Sequence, residues 1–342
     1  VSGASSLGRL TASLLAAIFA AVVSAHAQEP HVLVVSDAAS LRGAAAAAAG
    51  EVLADAPEIE IRIEAGTYVL EDTFRILRSG VFLNADRGAI FRLADRIDKP
   101  VVAIGSQDEV PPESARVRRI RISGLTVDGN MEAQTAEVGD ERPWIRNNGI
   151  DVRRTSELLI ENVHVRTNRS GGLVVSWGSD RVRVKNSLFS GNYFDGVAYY
   201  DSDRIETLGC RMEGNHSAGI SLDNHFANSR FVDCEIRNNG DVGIFIRASE
   251  NIVFDRCVIE SSGDWGAFLA HDESDRGVHG VRFVNCKFIG NRGGLRMASV
   301  NELQSSGTEV IDCRFSGNHR DGRANIDSAG SKVHAESNRE ER

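Results

Sequence analysis

Large rings and lysine are scarce in this 342-residue chain: aromatic residues make up 6%, and only four lysines occur (Lys99, Lys185, Lys287 and Lys332). So small a supply of rings argues against one bulky globular core. The lack of lysine leaves nearly all positive charge on arginine. With a net charge of −9, the chain lacks the basic excess that drives binding to nucleic acid. A polyanionic substrate is not excluded, because arginine can be concentrated locally. No apolar run approaches the ~20 residues needed to cross a bilayer. The run from Leu14 to Val23 follows Arg9 and precedes Ala25-His26-Ala27, a small-x-small pattern. That arrangement predicts a leader over residues 1–27, cleaved before Gln28, and so a periplasmic or secreted protein without a membrane span. Cys-x-x-Cys spacing is also missing among the five cysteines, which argues against a thiolate metal site.

What the chain does have is glycine, 33 residues of it, and a repeat. Asparagine recurs at 130, 168, 192, 215, 239, 291 and 318, with Ser262 in the one empty slot. Three residues before these slots stand Val127, Val165, Phe189, Met212, Ile236, Ile259, Phe288 and Phe315, all apolar. Five residues before stand Leu125, Val163, Ser187, Cys210, Cys234, Cys257, Cys286 and Cys313. Glycine follows four residues after most slots, then a short alternating stretch such as Ile220-Ser-Leu222 or Ile244-Phe-Ile246. Period-two alternation over so few residues predicts half-buried strand.

A unit of about two dozen residues cannot bury its own apolar face, so successive units must stack and share one core. The expected fold is all-β: a right-handed parallel β-helix with a short N-terminal capping helix. Ala38 to Leu53 suits that helix, and residues 28–116 form the cap and first coils. Regular coils span 117–325, with surface insertions at Met131 to Asn147 and Asp272 to Val278. Residues 326–342 are polar and predict a frayed tail. Asparagine fits the bend because it tolerates left-handed backbone and bonds to nearby main chain; in register it could form an amide ladder. The cysteines share one register position, which predicts stacked interior thiols rather than a disulfide framework.

Outward positions beyond the alternating stretch supply the candidate site. Coil by coil these are Arg153 and Arg154, Ser176 and Trp177, Tyr200 and Asp201, Asp223 and Asn224, Arg247, then Ala270 and His271, with Asp203, His225 and Asp272 just beyond. At the strand spacing of a sheet, Tyr200, Asp223 and Arg247 should be near neighbours. Such a face suits removal of the C5 proton of a uronate, which requires the substrate carboxylate to be neutralised. Arg247 could do that, with Asp223 or Asn224 adding hydrogen bonds, His225 acting as base and Tyr200 working from the opposite side. Trp177 offers a stacking surface for sugar, and Arg153, Asp201, Asn224, His271 and Asp272 complete the substrate contacts.

The repeat as a whole resembles pectin-lyase-like β-helix proteins. Leu222-Asp223-Asn224-His225, followed by Val242-Gly243-Ile244-Phe245-Ile246-Arg247, resembles the Asp-Pro-His segment and downstream strand of mannuronan C5-epimerases. That resemblance implies that His225 is the catalytic histidine, Asp223 its partner acid and Arg247 the arginine facing the carboxylate. Asn224 stands where those enzymes have proline, and Val242 where a second histidine is common. The expected partner is an anionic polysaccharide, acted on by a monomer. A glycoside hydrolase using Asp201 with Asp223, or Asp223 with Asp272, is the alternative; a non-catalytic binding or structural solenoid is another. No cofactor is required, although Asp201, Asp203 and Asp223 could converge on calcium.

Overall fold

The computed structural model describes residues 29–53, 55, 57–139, 142–270, 277–297, 306–318, 323–328, 333–336 and 338–341. The leader expected over 1–27, His271, Asp272 and most of the insertion expected from Asp272 lie outside them.

The chain winds into a right-handed parallel β-helix of about 12 turns. Each regular coil contributes one strand to each of three parallel sheets, here A, B and C, of 13, 11 and 10 strands. The alternating stretches after glycine make sheet C, as in Ile220–Asp223 paired in register with Val197–Tyr200 and with Ile244–Ile246. The segments before each asparagine make sheet B, as in Glu235–Arg237. Sheet A, with strands such as Ser249–Asp255, is a third element that the repeat positions above do not mark. Its alternation is plain in Arg181-Val182-Arg183-Val184, whose valines are buried and arginines exposed.

Inward residues fuse into one continuous core. Within it, phenylalanines stack from coil to coil: Phe231 on Phe254 at 4.7 Å, and Phe254 on Phe283 at 4.9 Å. All five cysteines are buried and free. Each thiol donates to a carbonyl of the preceding coil, as Cys257 Sγ does to Phe231 O at 3.5 Å. The expected amide ladder also forms. Asn168 Nδ2 donates to Asn192 Oδ1 at 2.7 Å, Asn192 to Asn215 at 2.8 Å, and Asn215 to Asn239 at 3.0 Å. Ser262 cannot extend the chain of amides, and its hydroxyl is buried without a partner; the ladder resumes from Asn291 to Asn318.

The corners rely on left-handed backbone. One such residue separates sheet A from sheet B directly before the cysteine column: Asn186, Gly209, Asp233, Arg256, Asn285 and Asp312. Another column, Arg154, Trp177, Asp201, Asn224 and Ala248, turns the chain out of sheet C.

The N-terminal end is closed as expected. A helix, Ala38–Ala48, is capped by Asp37 and lays Leu41, Ala44, Ala47 and Ala48 over the end of the core. The insertion at Met131 to Asn147 holds a 3-10 turn, Met131–Ala133, and an antiparallel hairpin whose long strand is Arg142–Arg146. The polar end differs from the frayed tail expected. Ile326–Asp327, Val333–Glu336 and Arg339–Glu341 pair with all three sheets. Backbone pairing there needs no apolar side chains, so composition alone does not reveal it.

Candidate functional site

The outer face of sheet C gathers most of the residues singled out above. Inward Ile220 and Leu222 are fully buried, so Ser221 and Asp223 must point away from the core. The same alternation sets Tyr199 inward, where its hydroxyl bonds Thr207 Oγ1 at 2.9 Å, and Tyr200 outward. Register pairs Arg153 with Ser176 and Tyr200 with Asp223. Arg247 follows in the next coil and reaches back to Asp223, Nε to Oδ2 at 2.9 Å with Nη2 on the same oxygen.

Asp223 is nearly buried and heavily engaged, its other oxygen accepting the Asn224 N–H at 2.7 Å. A carboxylate so placed is a fixed anchor for the guanidinium. Arg247 itself stays 44% exposed, leaning over the Phe245 ring.

A groove of about 310 Å³ lies alongside, floored by Val174, Ser176 and Tyr200. Trp177, Asp201 and Asn224 form its rim, all three from the left-handed corner column. Trp177 is the costliest of these, since a bulky side chain disfavours positive φ. The opposite wall comes from the hairpin, through Trp144 and Arg146. Arg153 lies in the floor but is 5% exposed. Its Nε meets Asp151 Oδ1 at 2.8 Å and its Nη2 meets Trp144 O at 2.8 Å, so it buttresses the hairpin.

His225 is exposed at the corner and does not line this groove; its backbone N–H donates to Ala248 O at 2.8 Å. Two consecutive left-handed residues, Asn224 and His225, carry the chain round that corner. Asp203 faces sheet A, paired with Arg204 at 2.6 Å and Asn228 at 2.9 Å. Among the described residues no group of three or more His, Cys, Asp or Glu side chains is arranged to hold a metal.

Several groups at this face escape a reading of the repeat. Asp195, at the entrance to its sheet C strand, accepts the Ala218 N–H at 3.0 Å. Burial pushes its carboxyl up to about 6, with the Asp241 carboxylate adding to the rise and the Ser217 and Ser221 hydroxyls opposing it. Burial likewise pushes the Tyr200 phenol up to about 12, reinforced by Asp195 and Asp223 and opposed by Ser221 and Arg146. Tyr200 Oη is 3.5 Å from Ser221 Oγ. Toward the C-terminal coils the outer row becomes aromatic. Phe245 and Phe268 pack on buried Ala218, Val242 and Trp265, with Arg296 over Phe268. Asp195 and Asp241 stand between the asparagine slot and the sheet C strand, where the repeat marks no outward position.

The sequence matches the family described as right handed beta helix region, over residues 116–279 and 177–339. Comparison with curated proteins returns no match. Among solved structures, the mannuronan C-5 epimerase AlgE4 A-module of Azotobacter vinelandii superposes with a TM-score of 0.54 at 16% identity, over 87% of this chain and 96% of that one. An alginate lyase from Paenibacillus gives 0.56 at 10% identity, over 90% and 99%. PfbA, a surface adhesin of Streptococcus pneumoniae, gives 0.64 at 13% identity, over 85% and 78%. At these identities the likeness is one of fold.

Proposed function

Because the chain belongs to the right-handed β-helix family, and because its outer groups concentrate on one sheet, we propose that it lays an acidic polysaccharide along sheet C and abstracts the C5 proton of a uronate, as an epimerase or a lyase. The observation that carries this reading is the stacking of Tyr200, Asp223 and Arg247 in three successive coils beside the groove. Two of the superposable folds belong to an epimerase and a lyase of alginate-type polymers by name; the third is named as a surface adhesin.

Arg247, held by Asp223, presents positive charge where a uronate carboxylate would lie, and lowers the cost of the enolate that forms as H5 leaves. His225, exposed at the corner beside Asn224 and outside the groove's lining, is assigned as the base that takes that proton onto its imidazole. Tyr200, kept protonated far above neutrality, is the acid: it returns a proton to C5 from the other face in an epimerase, or protonates the departing O4 in a lyase. Trp177 supports a sugar ring at the rim, and the Phe245–Phe268 strip with its arginines continues the track.

Incubation with alginate, pectate and a neutral glycan tests the proposal. Lyase products absorb in the ultraviolet, and solvent deuterium entering C5 reports epimerisation; neither signal on either polyuronate would sink it. A second reading draws on Asp195. A carboxyl raised by burial to about 6, on the same face as the Asp223 side chain, resembles the acid and partner of a glycoside hydrolase. Reducing ends released from the neutral glycan, without ultraviolet absorbance, would favour it.

A further inference from the structure

A second cavity, of about 320 Å³, opens on sheet C nearer the N-terminus, above the strands Phe74–Ile76 and Val102–Ile104. Its floor holds Arg75 and Ala103, which are register partners. The loop through Ile97, Lys99 and Pro100 forms one wall, and the hairpin strand gives Arg142 and Ile145 to the other. That strand therefore stands between two sites, because its Trp144 and Arg146 line the groove. The cavity shares no lining residue with the groove.

Gln107 distinguishes this cavity from a chance hollow. Both atoms of its side-chain amide are shut from solvent and lack any partner, although Gln107 lines the cavity. Nearby Gln134 shows the ordinary outcome: its Oε1 accepts from Ile97 N and Asp98 N, and its Nε2 donates to Ala94 O. A buried amide with neither donor nor acceptor used is costly, and such groups mark a place taken by water or a ligand, or a strained site. The Gln107 backbone is also fixed in place, since its main-chain carbonyl accepts the Trp144 indole N–H at 3.1 Å.

The remaining lining narrows the ligand. Three cations surround the cavity, Arg75, Lys99 and Arg142. Arg75 and Lys99 share Asp72, at 2.9 and 3.1 Å. Asp98 is occupied by the backbone N–H groups of Thr135 and Ala136 and by the Thr135 hydroxyl. Among the described residues, three positive charges thus face two negative ones, and exposed Arg142 is placed to meet an anion. Ile97, Pro100, Ala103 and Ile145 give an apolar wall suited to the C–H face of a ring. An amide offering both a donor and an acceptor suits neighbouring hydroxyls, and the volume is within the range of small-ligand sites.

We propose that this cavity binds a single acidic sugar residue, with its carboxylate at Arg142 and its hydroxyls on the Gln107 amide. The site stands on its own lining and does not require turnover in the groove.

Calorimetric titration of the whole protein with D-glucuronate tests it, with glucose and lactate as controls lacking the carboxylate and the ring. Glucuronate should bind saturably and both controls at least roughly tenfold more weakly, as expected when a site built to bond polar groups loses them. Gln107→Leu should weaken glucuronate by roughly tenfold or more while leaving the ligand-free melting temperature equal or higher, because it removes orphaned polar atoms. Arg142→Ala, on an exposed residue that the fold does not need, should weaken glucuronate roughly threefold to tenfold. Arg230→Ala, on the outer face of sheet A and away from both the cavity and the groove, should leave glucuronate binding unchanged. The proposal fails if glucuronate gives no saturable heat, if glucose binds as tightly, or if Gln107→Leu and Arg142→Ala bind glucuronate as tightly as the parent protein. Activity on polymers is not read, so failure here is separable from failure of the function proposed above.

Discussion

The two faces of sheet C obey different rules. Its inner face repeats: Ile150, Leu173, Val197, Ile220, Ile244, Ala267 and Leu295 occupy one row and all are fully buried. Its outer face does not, running from Asp151 through Val174, Ala198, Ser221, Phe245 and Phe268 to Arg296 in the matching row. Stacking requires neighbours of compatible shape inside, whereas outside each coil meets different surroundings, from the buried Asp151 and Ala198 to the half-buried Phe245 and Phe268, and is free to differ. Stability should therefore belong to the inner rows and chemistry to the outer ones.

The comparison breaks most severely if charge is driven inward. Cys257→Arg should cost more than ~4 kcal/mol, since an unpaired guanidinium cannot be hydrated there. Limited proteolysis should then cut the coils around 257, and a protease-resistant variant would mean that the inner row tolerates what the packing forbids. Asn215→Leu, which removes the amide that bonds both Asn192 and Asn239, should cost about 2–4 kcal/mol by leaving buried partners unpaired; urea unfolding measures it.

Outer residues should act through pH or activity instead. Asp195 has its carboxyl raised to about 6 from 3.8, by burial first. The unfolded chain therefore releases this proton earlier than the folded one does. Its contribution to stability is full below pH 3.8 and is lost as pH rises through 6. The loss is at most about 3 kcal/mol, less for its partial exposure. Melting temperatures of Asp195→Asn across pH 4 to 7 should lack that decline, and parallel curves for the two proteins would refute the assignment. The smallest stability effect is expected at His225→Ala, within about 0.5 kcal/mol for an exposed corner residue, together with loss of polyuronate turnover in the same preparation. Retained turnover would move the base elsewhere.

The fold was legible because repetition amplifies weak signals. One Asn-Gly bend means little, but the column from Asn168 to Asn318 fixes which neighbours face inward, and the thiols and amides lie where that register puts them. The site was legible only where it shares the period. Tyr200, Asp223 and Arg247 fall together because each occupies an equivalent position in its coil. The hairpin does not repeat, so nothing in the sequence revealed that Trp144 and Arg146 would wall the groove or that Arg153 would be covered by it. Phe245 and Phe268 are set outward by the alternation, but period two says nothing of their packing on Ala218, Val242 and Trp265. His225 falls at a corner built from two left-handed residues, where neither period predicts direction.

The five thiols carry a chemical consequence of the solenoid. Burial pushes Cys210 up to about 12, and hydrogen bonding to the neighbouring Cys234 and Cys286 thiols, with burial added, raises Cys257 well above its ordinary value, so neither yields the thiolate that oxidants attack. Parting the coils would hydrate them together, five closely spaced reductants on one chain. In air the opened chain would tie itself into mispaired disulfides, making denaturation a one-way process, while a reductant would keep the path back open.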